Sequence, residues 1–377
     1  MTAAHAYMDY NATAPIKPGV IAAMSACMGD VGNPSSVHGP GRRARHRLDH
    51  ARRVIAAPFT CDPDHVIFTG SGTEANDLAL RGVHYDHLVI SAIEHDAIRR
   101  CAQALDKPVS IVPVDGQGIV DLDSLQRILA ESKGCALVSI MAANNETGVV
   151  QPLAEIVRIA HASGALVHSD AVQAFGKITL PDSFLEIDLI TISAHKFGGP
   201  QGVGALISRN VAIGARLLGG AQERYRRAGT ENLAGIVGFE TAVELIDLNS
   251  WICALRDRLE AEILNHAPDA VIFSRKAERL PNTSMIAMPN VASDTQVIAL
   301  DLAGIAVSSG AACSSGKVRE SHVLSAMGAG DLAGCAIRIS LGWNSTDRDV
   351  DQFLAAWCRL YDRKRAKAYV PVAAIGN

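Results

Sequence analysis

Lys196 stands just past the apolar run Leu189-Ile190-Thr191-Ile192-Ser193, in the segment Ala194-His195-Lys196-Phe197-Gly198-Gly199-Pro200. A solvated surface is a poor explanation for a lysine so placed. Burial or a neighbouring cation depresses an amine's pKa until it becomes a nucleophile able to form Schiff bases. A second apolar run ends in His168-Ser169-Asp170-Ala171-Val172-Gln173, which leaves Asp170 as a carboxylate in need of a cationic or hydrogen-bonding partner. A third runs into Gly70-Ser71-Gly72-Thr73-Glu74-Ala75-Asn76, where glycines permit a tight turn and Ser71 with Glu74 has capping-box spacing. Free N–H groups at the start of the helix that follows suit a phosphate, although many caps look the same and bind nothing. A reactive lysine, an acid and a phosphate cradle are the parts that pyridoxal phosphate needs: the lysine bonds its aldehyde, and the acid keeps its pyridine nitrogen protonated. The plain alternative is three unrelated strand-end residues. A separate segment, Val307-Ser308-Ser309-Gly310-Ala311-Ala312-Cys313-Ser314-Ser315-Gly316, sets a cysteine among small residues that make a poor core. Lys317 and Arg319 nearby favour a thiolate, and the bland reading is a free cysteine in an ordinary loop.

The elements that must carry these groups are legible as alternation. Candidate strands are 65–69, 87–91, 136–141, 165–169, 189–193 and 203–208, with helical spacing at 122–130 and 153–163. Strands separated by helices predict an α/β fold, a mostly parallel sheet flanked by helices, and ligands gather at the carboxyl ends of such strands. From about residue 250 the pattern changes to a helix at 251–265, short strands near 271–273 and 284–288, and a helix at 295–302. This predicts a large domain over 15–250 and a smaller α+β domain from 1–14 and 251–377, the latter carrying the Cys313 loop.

Composition excludes several classes of function. A chain of 377 residues with 48% hydrophobic and 20% charged residues is an ordinary globular protein long enough for a large core. The net charge of −4 gives no reason to expect nucleic acid or an acidic membrane as partner, and the basic cluster Arg42 to Arg53 reads as a solvated helix face. No apolar run reaches the roughly 18 residues of a membrane span. The first fifteen residues lack the pattern of a secretory leader. Eight scattered cysteines without a CxxC pair fit neither zinc nor a disulfide framework, so no metal is expected and a reducing cytoplasm is the natural home. Most of the cysteines are expected to be small buried hydrophobes.

Ser-x-His-Lys after an apolar strand, with Asp-x-x-Gln upstream, resembles the fold-type I, class V aminotransferase superfamily, most closely the cysteine desulfurases of the NifS/IscS type. Further matches are Met8 to Pro15, Gly32 to Ser36, Glu94-His95, Asn144 to Gly148, Arg227 to Thr230, Ser308 to Cys313 and Arg338 to Gly342, in the family's order along the chain. The resemblance implies pyridoxal 5'-phosphate as cofactor and roles position by position. Lys196 matches the Schiff-base lysine, Asp170 the partner of the pyridinium nitrogen, Gln173 the residue on the phenolic oxygen, and His95 the catalytic imidazole that stacks on the ring and moves protons. Gly72, Thr73, Ser193 and His195 match the phosphate cradle, which Thr230 reaches from the partner subunit. Asn33, Asn145 and Arg338 match the substrate-binding residues, and Asn145 matches a cofactor-binding one as well. Cys313 matches the cysteine that receives sulfur. The implied reaction converts L-cysteine to L-alanine and passes the sulfur to an acceptor protein, such as an iron–sulfur scaffold, in a homodimer. A selenocysteine lyase, another class V aminotransferase, or a non-catalytic partner of a desulfurase are the other readings. Three departures bear on the acceptor or the loop: the tail Tyr369 to Asn377, Trp343-Asn344 after Leu341-Gly342, and Ala311 where Ser is common.

Overall fold

The computed structural model describes residues 6–248, 251–310 and 320–368. The chain divides into two compact units, one of Ala12–Asn145 with Val149–Leu248 and one of Met1–Asn11, Glu146–Gly148 and Asn249–Asn377. The boundaries differ in detail from those read in the sequence, which put the later break at 250 where the units part after Leu248. Residues 12–14 belong to the larger unit, and Glu146–Gly148, from the middle of its sequence, belongs to the smaller.

The larger unit is built on a seven-stranded sheet in the order Val66–Thr69, Gly204–Ser208, Leu189–Ser193, Leu166–Asp170, Ala136–Ser139, His87–Ser91, Val109–Val112. From Leu189–Ser193 to Val109–Val112 every neighbour is parallel, and Gly204–Ser208 runs antiparallel to both of its partners. The central strands are buried along their whole length, which is why they read as continuous apolar runs and not as alternation. The edge strand Val109–Val112 escaped the sequence reading: it is short, flanked by prolines, and leaves Ile111 exposed. Side chains of the helix Gly72–Gly82, among them Ala75, Leu78 and Ala79, pack with Ile67, Leu88, Leu189 and Leu206 of the sheet.

In the smaller unit Thr283–Ala287 lies between Ala336–Ser340 and Val271–Ile272 in an antiparallel sheet, and Ala6–Tyr7 pairs in parallel with Ile305–Ala306. The helices Trp251–His266 and Asp347–Ala368 cover a core that includes Ile263, Ile286, Ile337, Phe353 and Trp357.

Two expectations are corrected. Arg52 is not part of a solvated helix face: it is buried, pairs bidentately with Glu223 (Nη1–Oε2 and Nη2–Oε1, both 2.8 Å) and lies over the Phe68 ring. It points inward because it shares the core face of helix Gly39–Ala56 with Leu48 and Ile55. Of the described cysteines only Cys27 and Cys101 are buried; Cys61, Cys135, Cys253, Cys335 and Cys358 are partly exposed. Cys135 and Cys335 sit just ahead of strands, where the chain has not yet entered the core. Among the described residues no helix is long and apolar enough to cross a membrane.

Candidate active site

In the larger unit the register brings the carboxyl ends of Val66–Thr69 and Leu189–Ser193 to the same level, since Thr69 and Ser193 both pair with Gly204. Gly204 has to be glycine there: a Cβ would lie 2.7 Å from the Ser71 carbonyl carbon and 2.9 Å from the Gly72 nitrogen. The turn that opens helix Gly72–Gly82 therefore settles directly over the strand. Gly72 is less tightly confined, with a Cβ there 3.0 Å from Val172 Cγ2 and 3.3 Å from Ser193 Cβ. Ser71 caps the helix, its Oγ accepting from Glu74 N at 3.1 Å. The reciprocal half of the expected capping box is displaced by one residue, because Glu74 Oε2 accepts from Gly70 N while Arg227 holds Oε1 at 2.7 Å.

Ser193 Oγ is buried and has no hydrogen-bond partner among the described residues. An orphaned hydroxyl costs about 1–3 kcal/mol, so its place beside the start of an eleven-residue helix asks for an acceptor from outside the chain. Hydroxyl, helix dipole and free N–H groups together suit a phosphate ester. Thr73 is exposed on the first turn. Thr230 is exposed as well, and lines a small cavity with Thr69, Gly70 and Arg227.

Asp170 ends its strand buried. Its Oδ2 accepts from Asn76 Nδ2 at 2.7 Å and its Oδ1 from Val172 N at 3.0 Å. Both donors are neutral, so the carboxylate is satisfied without being neutralised. Asn76 went without a role in the sequence reading; the available signal was its place one turn along the helix that opens at Gly72. Gln173 is buried, and its Oε1 accepts from Lys177 Nζ.

Lys196 is half-buried, and its Nζ donates to Ala12 O at 2.8 Å. His195 beside it shares a hydrogen bond of 3.1 Å between Nδ1 and Thr13 Oγ1, while its carbonyl accepts from Ala14 N. Burial, and then the charges of Lys196 and Lys177, push the His195 pKa down to about 4, so the imidazole is neutral at pH 7. The segment from Ala12 to Ala14 thus positions both residues, a use that no local pattern announced.

His95 is exposed and caps helix Asp96–Gln103, Nδ1 accepting from Ala97 N at 3.1 Å. The cap fixes the tautomer: a neutral His95 carries its proton on Nε2. Glu94, just before it, is fully buried and receives hydrogen bonds from Ser91 Oγ and Met141 N. Burial, with the charge of Asp170 adding to it, raises the Glu94 pKa to about 8. Asn145 is half-buried, after Asn144 whose Nδ2 donates to Ile93 O at 3.1 Å. Asn33 is exposed, its Oδ1 accepting from Ser35 N at 2.8 Å.

In the smaller unit Arg338 is buried on the strand Ala336–Ser340, and its Nη2 donates to Asp9 Oδ1 at 2.7 Å. A guanidinium has five N–H donors in a planar fork, enough to serve Asp9 and a second carboxylate. Backbone bonds in both directions join Arg338 to Ser308. Cys313, with Lys317 and Arg319, lies outside the described residues.

Comparison with known proteins follows the same lines. The profile of the family described as Aminotransferase class-V matches residues 6–353. A cysteine desulfurase of Cereibacter sphaeroides is 40% identical over 375 residues, covering 96% of each chain. The cysteine desulfurase IscS of Dictyoglomus turgidum is 38% identical over 376 residues, covering 95% of each. Among solved structures, a NifS-like protein from Rickettsia africae superposes with a TM-score of 0.87 at 39% identity, covering 95% of this chain and 99% of that one.

Proposed function

We propose a reaction from one premise: this chain belongs to the aminotransferase class-V family and, within it, to the cysteine desulfurases of the NifS/IscS type. It converts L-cysteine to L-alanine and passes the sulfur, as a persulfide on Cys313, to an acceptor protein. The observation that carries the cofactor half of this reading is the orphaned Ser193 hydroxyl at the start of helix Gly72–Gly82, with Asp170 held by neutral donors at a nearby strand end.

These residues fit pyridoxal 5'-phosphate. Ser193, His195, Gly72 and Thr73 would hold the phosphate, with Thr230 supplied by the partner subunit of a homodimer. Asp170 would keep the pyridine nitrogen protonated, Gln173 would serve the phenolic oxygen, and His95 would face the ring. When bound, the cofactor withdraws electrons from the substrate's α-carbon. The chain's own groups do the rest. Lys196 would anchor the cofactor and, as a free amine, would take the substrate's α-proton. Arg338, Asn145 and Asn33 orient the substrate carboxylate. The Cys313 thiolate attacks the substrate's sulfur, so an S–S bond forms as the C–S bond breaks, and the carbon skeleton takes up protons to become alanine. The balance is L-cysteine plus enzyme thiol giving L-alanine plus enzyme persulfide. An iron–sulfur scaffold or another thiol-bearing protein then takes the terminal sulfur, in the cytoplasm.

The test is alanine released from L-cysteine by purified protein, with the Cys313→Ala variant alongside. Alanine from the wild type alone is expected, with the visible absorbance of the bound cofactor present in both. Alanine at the normal rate from the variant would remove Cys313 from the reaction. Selenocysteine and a keto-acid acceptor as rival substrates separate the lyase and aminotransferase readings.

A further inference from the structure

Lys177 lies four residues past Gln173, and neither the cofactor nor the substrate roles above use it. The two share the turn that leaves strand Leu166–Asp170. It is closed by Phe175 N on Ala171 O at 2.9 Å, and by Lys177 N and Ile178 N on Ala174 O at 3.1 and 3.2 Å. Gly176 turns the chain there at φ +78°, and a Cβ on it would lie 2.8 Å from Phe197 Cβ. The turn therefore rests against the segment that carries His195 and Lys196, and the Phe175 and Phe197 rings meet edge to face at 5.3 Å. Gln173 is only 5% exposed, whereas Lys177 is half-buried with its Nζ donating to Gln173 Oε1. The charged groups about this turn are Asp170 at its start and Lys196 beyond it. Burial, then Lys196, then Lys177 hold the His195 imidazole neutral, so the ammonium is felt inside the site.

A side-chain amide can present its oxygen or its NH2 group, and the partner decides which. An ammonium has three N–H donors and no acceptor, so the end of Gln173 that meets Lys177 has to be the oxygen. The opposite orientation would set donor against donor at a buried group. The end left over is the NH2 group, the one suited to an oxygen that carries negative charge. We propose that Lys177 is a positioning residue for the cofactor: by holding Gln173 Oε1 it commits the Gln173 N–H to the cofactor's phenolic oxygen. The inference rests on the cofactor reading given above and adds what orients one of the cofactor's ligands. A committed donor and a nearby cation both favour the ionised oxygen. Both therefore lower the pH at which the linkage between Lys196 and the cofactor gives up its proton.

The experiment uses the full chain loaded with pyridoxal 5'-phosphate, as wild type, Lys177→Met, Lys177→Arg, Gln173→Ala and the Gln173→Ala/Lys177→Met pair. The visible absorbance of the bound cofactor is titrated with pH, and the midpoint of its change is the readout. Lys177→Met should raise that midpoint by about one pH unit. Lys177→Arg should titrate like the wild type, since a guanidinium also donates only. Gln173→Ala should raise the midpoint too, and adding Lys177→Met to it should move the midpoint clearly less than Lys177→Met does alone, because only the bare charge is then removed. An unshifted midpoint in Lys177→Met would overturn the proposal by leaving Lys177 a structural tether. A shift of the same size with and without Gln173 would overturn it by leaving Lys177 a bare charge. If Lys177→Met does not fold, Gln173→Glu carries the test: Lys177 keeps its bond, but an acceptor replaces the donor at the other end, so the midpoint should rise. A wild-type midpoint there would show that no amide N–H serves the ring oxygen. No visible absorbance in the wild type is a different failure: it removes the cofactor reading itself.

Discussion

Asp170 and Asp9 are both acids of a candidate site, but their partners differ in kind. Asp170, at a strand end of the larger unit, is bonded by an amide side chain and a backbone N–H. Asp9, in the smaller unit, meets the guanidinium of Arg338. Neutral donors satisfy oxygens and leave the charge in place, so Asp170 can still attract a proton onto a ring nitrogen. A charge pair spends most of its field internally, so a ligand carboxylate at Arg338 must share the fork with Asp9. One region keeps a charge ready for a cation, and the other keeps a cation in orientation with an anion that a ligand can join.

The largest test of this contrast removes the reactive group itself. Lys196→Ala should lower alanine formation by at least about 10³-fold, toward the upper end of what a positioned general base contributes, and should abolish the visible absorbance of bound cofactor. Retention of that absorbance would place the cofactor's anchor elsewhere.

Next comes a buried guanidinium whose two Nη groups are both bonded within the larger unit. Arg52 and Glu223 share two bonds of 2.8 Å, Glu223 Oε2 also accepts from Phe68 N at 3.0 Å, and the Glu223 backbone is held at φ +44°. Breaking a buried pair from one side costs about 3–5 kcal/mol, so Arg52→Ala should lose that much by denaturant unfolding. The protein that remains folded should keep its kcat. A kcat that fell in the folded fraction would mean that Arg52 serves the site.

Arg338→Lys then separates the two kinds of arginine. Lysine keeps the charge and can still meet Asp9, but cannot grip a second carboxylate bidentately. The expected loss is about 1.5–3 kcal/mol in kcat/KM, carried mainly by KM, with little change in stability. Asp9→Asn should do less, since Arg338 keeps its fork. Equal losses from both would show that the pair is only structural.

Which parts of this were legible in the sequence follows from the range of the interactions. The strands Leu189–Ser193 and His87–Ser91 were read to the residue, because strands buried on both faces are written as unbroken apolar runs. Lys196 and Asp170 were singled out for the same reason: a polar residue stands out at the end of such a run. Their supports were not, because Ala12 and Asn76 touch them across 184 and 94 residues and carry no local mark. Arg52 was misread because a run of arginines looks solvated until the helix phase is set against its neighbours. His95 was read as a ring-stacking residue by resemblance, and what the structure shows of it is a helix cap. Glu146 gave no sign of belonging to the smaller unit, since sequence position alone assigns it to the larger.

The smallest effect tests the buried charges of the larger unit through pH. Glu94 has a pKa raised from 4.5 to about 8, so its protonated form contributes stability fully present below pH 4.5 and lost as the pH rises through 8. Burial acts oppositely on two histidines: His168, between Ser139 and Thr191, falls from 6.5 to about 3, and His195 to about 4. Held neutral, each adds stability that is present above pH 6.5 and lost on acidification. Between 4.5 and 6.5 the two histidines outweigh Glu94 and stability rises with pH; above 6.5 only the Glu94 slope remains. From pH 6.5 to 8 that slope removes about 2 kcal/mol, at about 1.4 kcal/mol per unit for one proton. Glu94→Gln keeps an acceptor for Ser91 Oγ and Met141 N but cannot ionise, so its unfolding free energy should stay level over that interval while the acid limb remains. The same fall in both proteins would assign the alkaline loss to another group and leave Glu94 an ionised carboxylate beside Asp170.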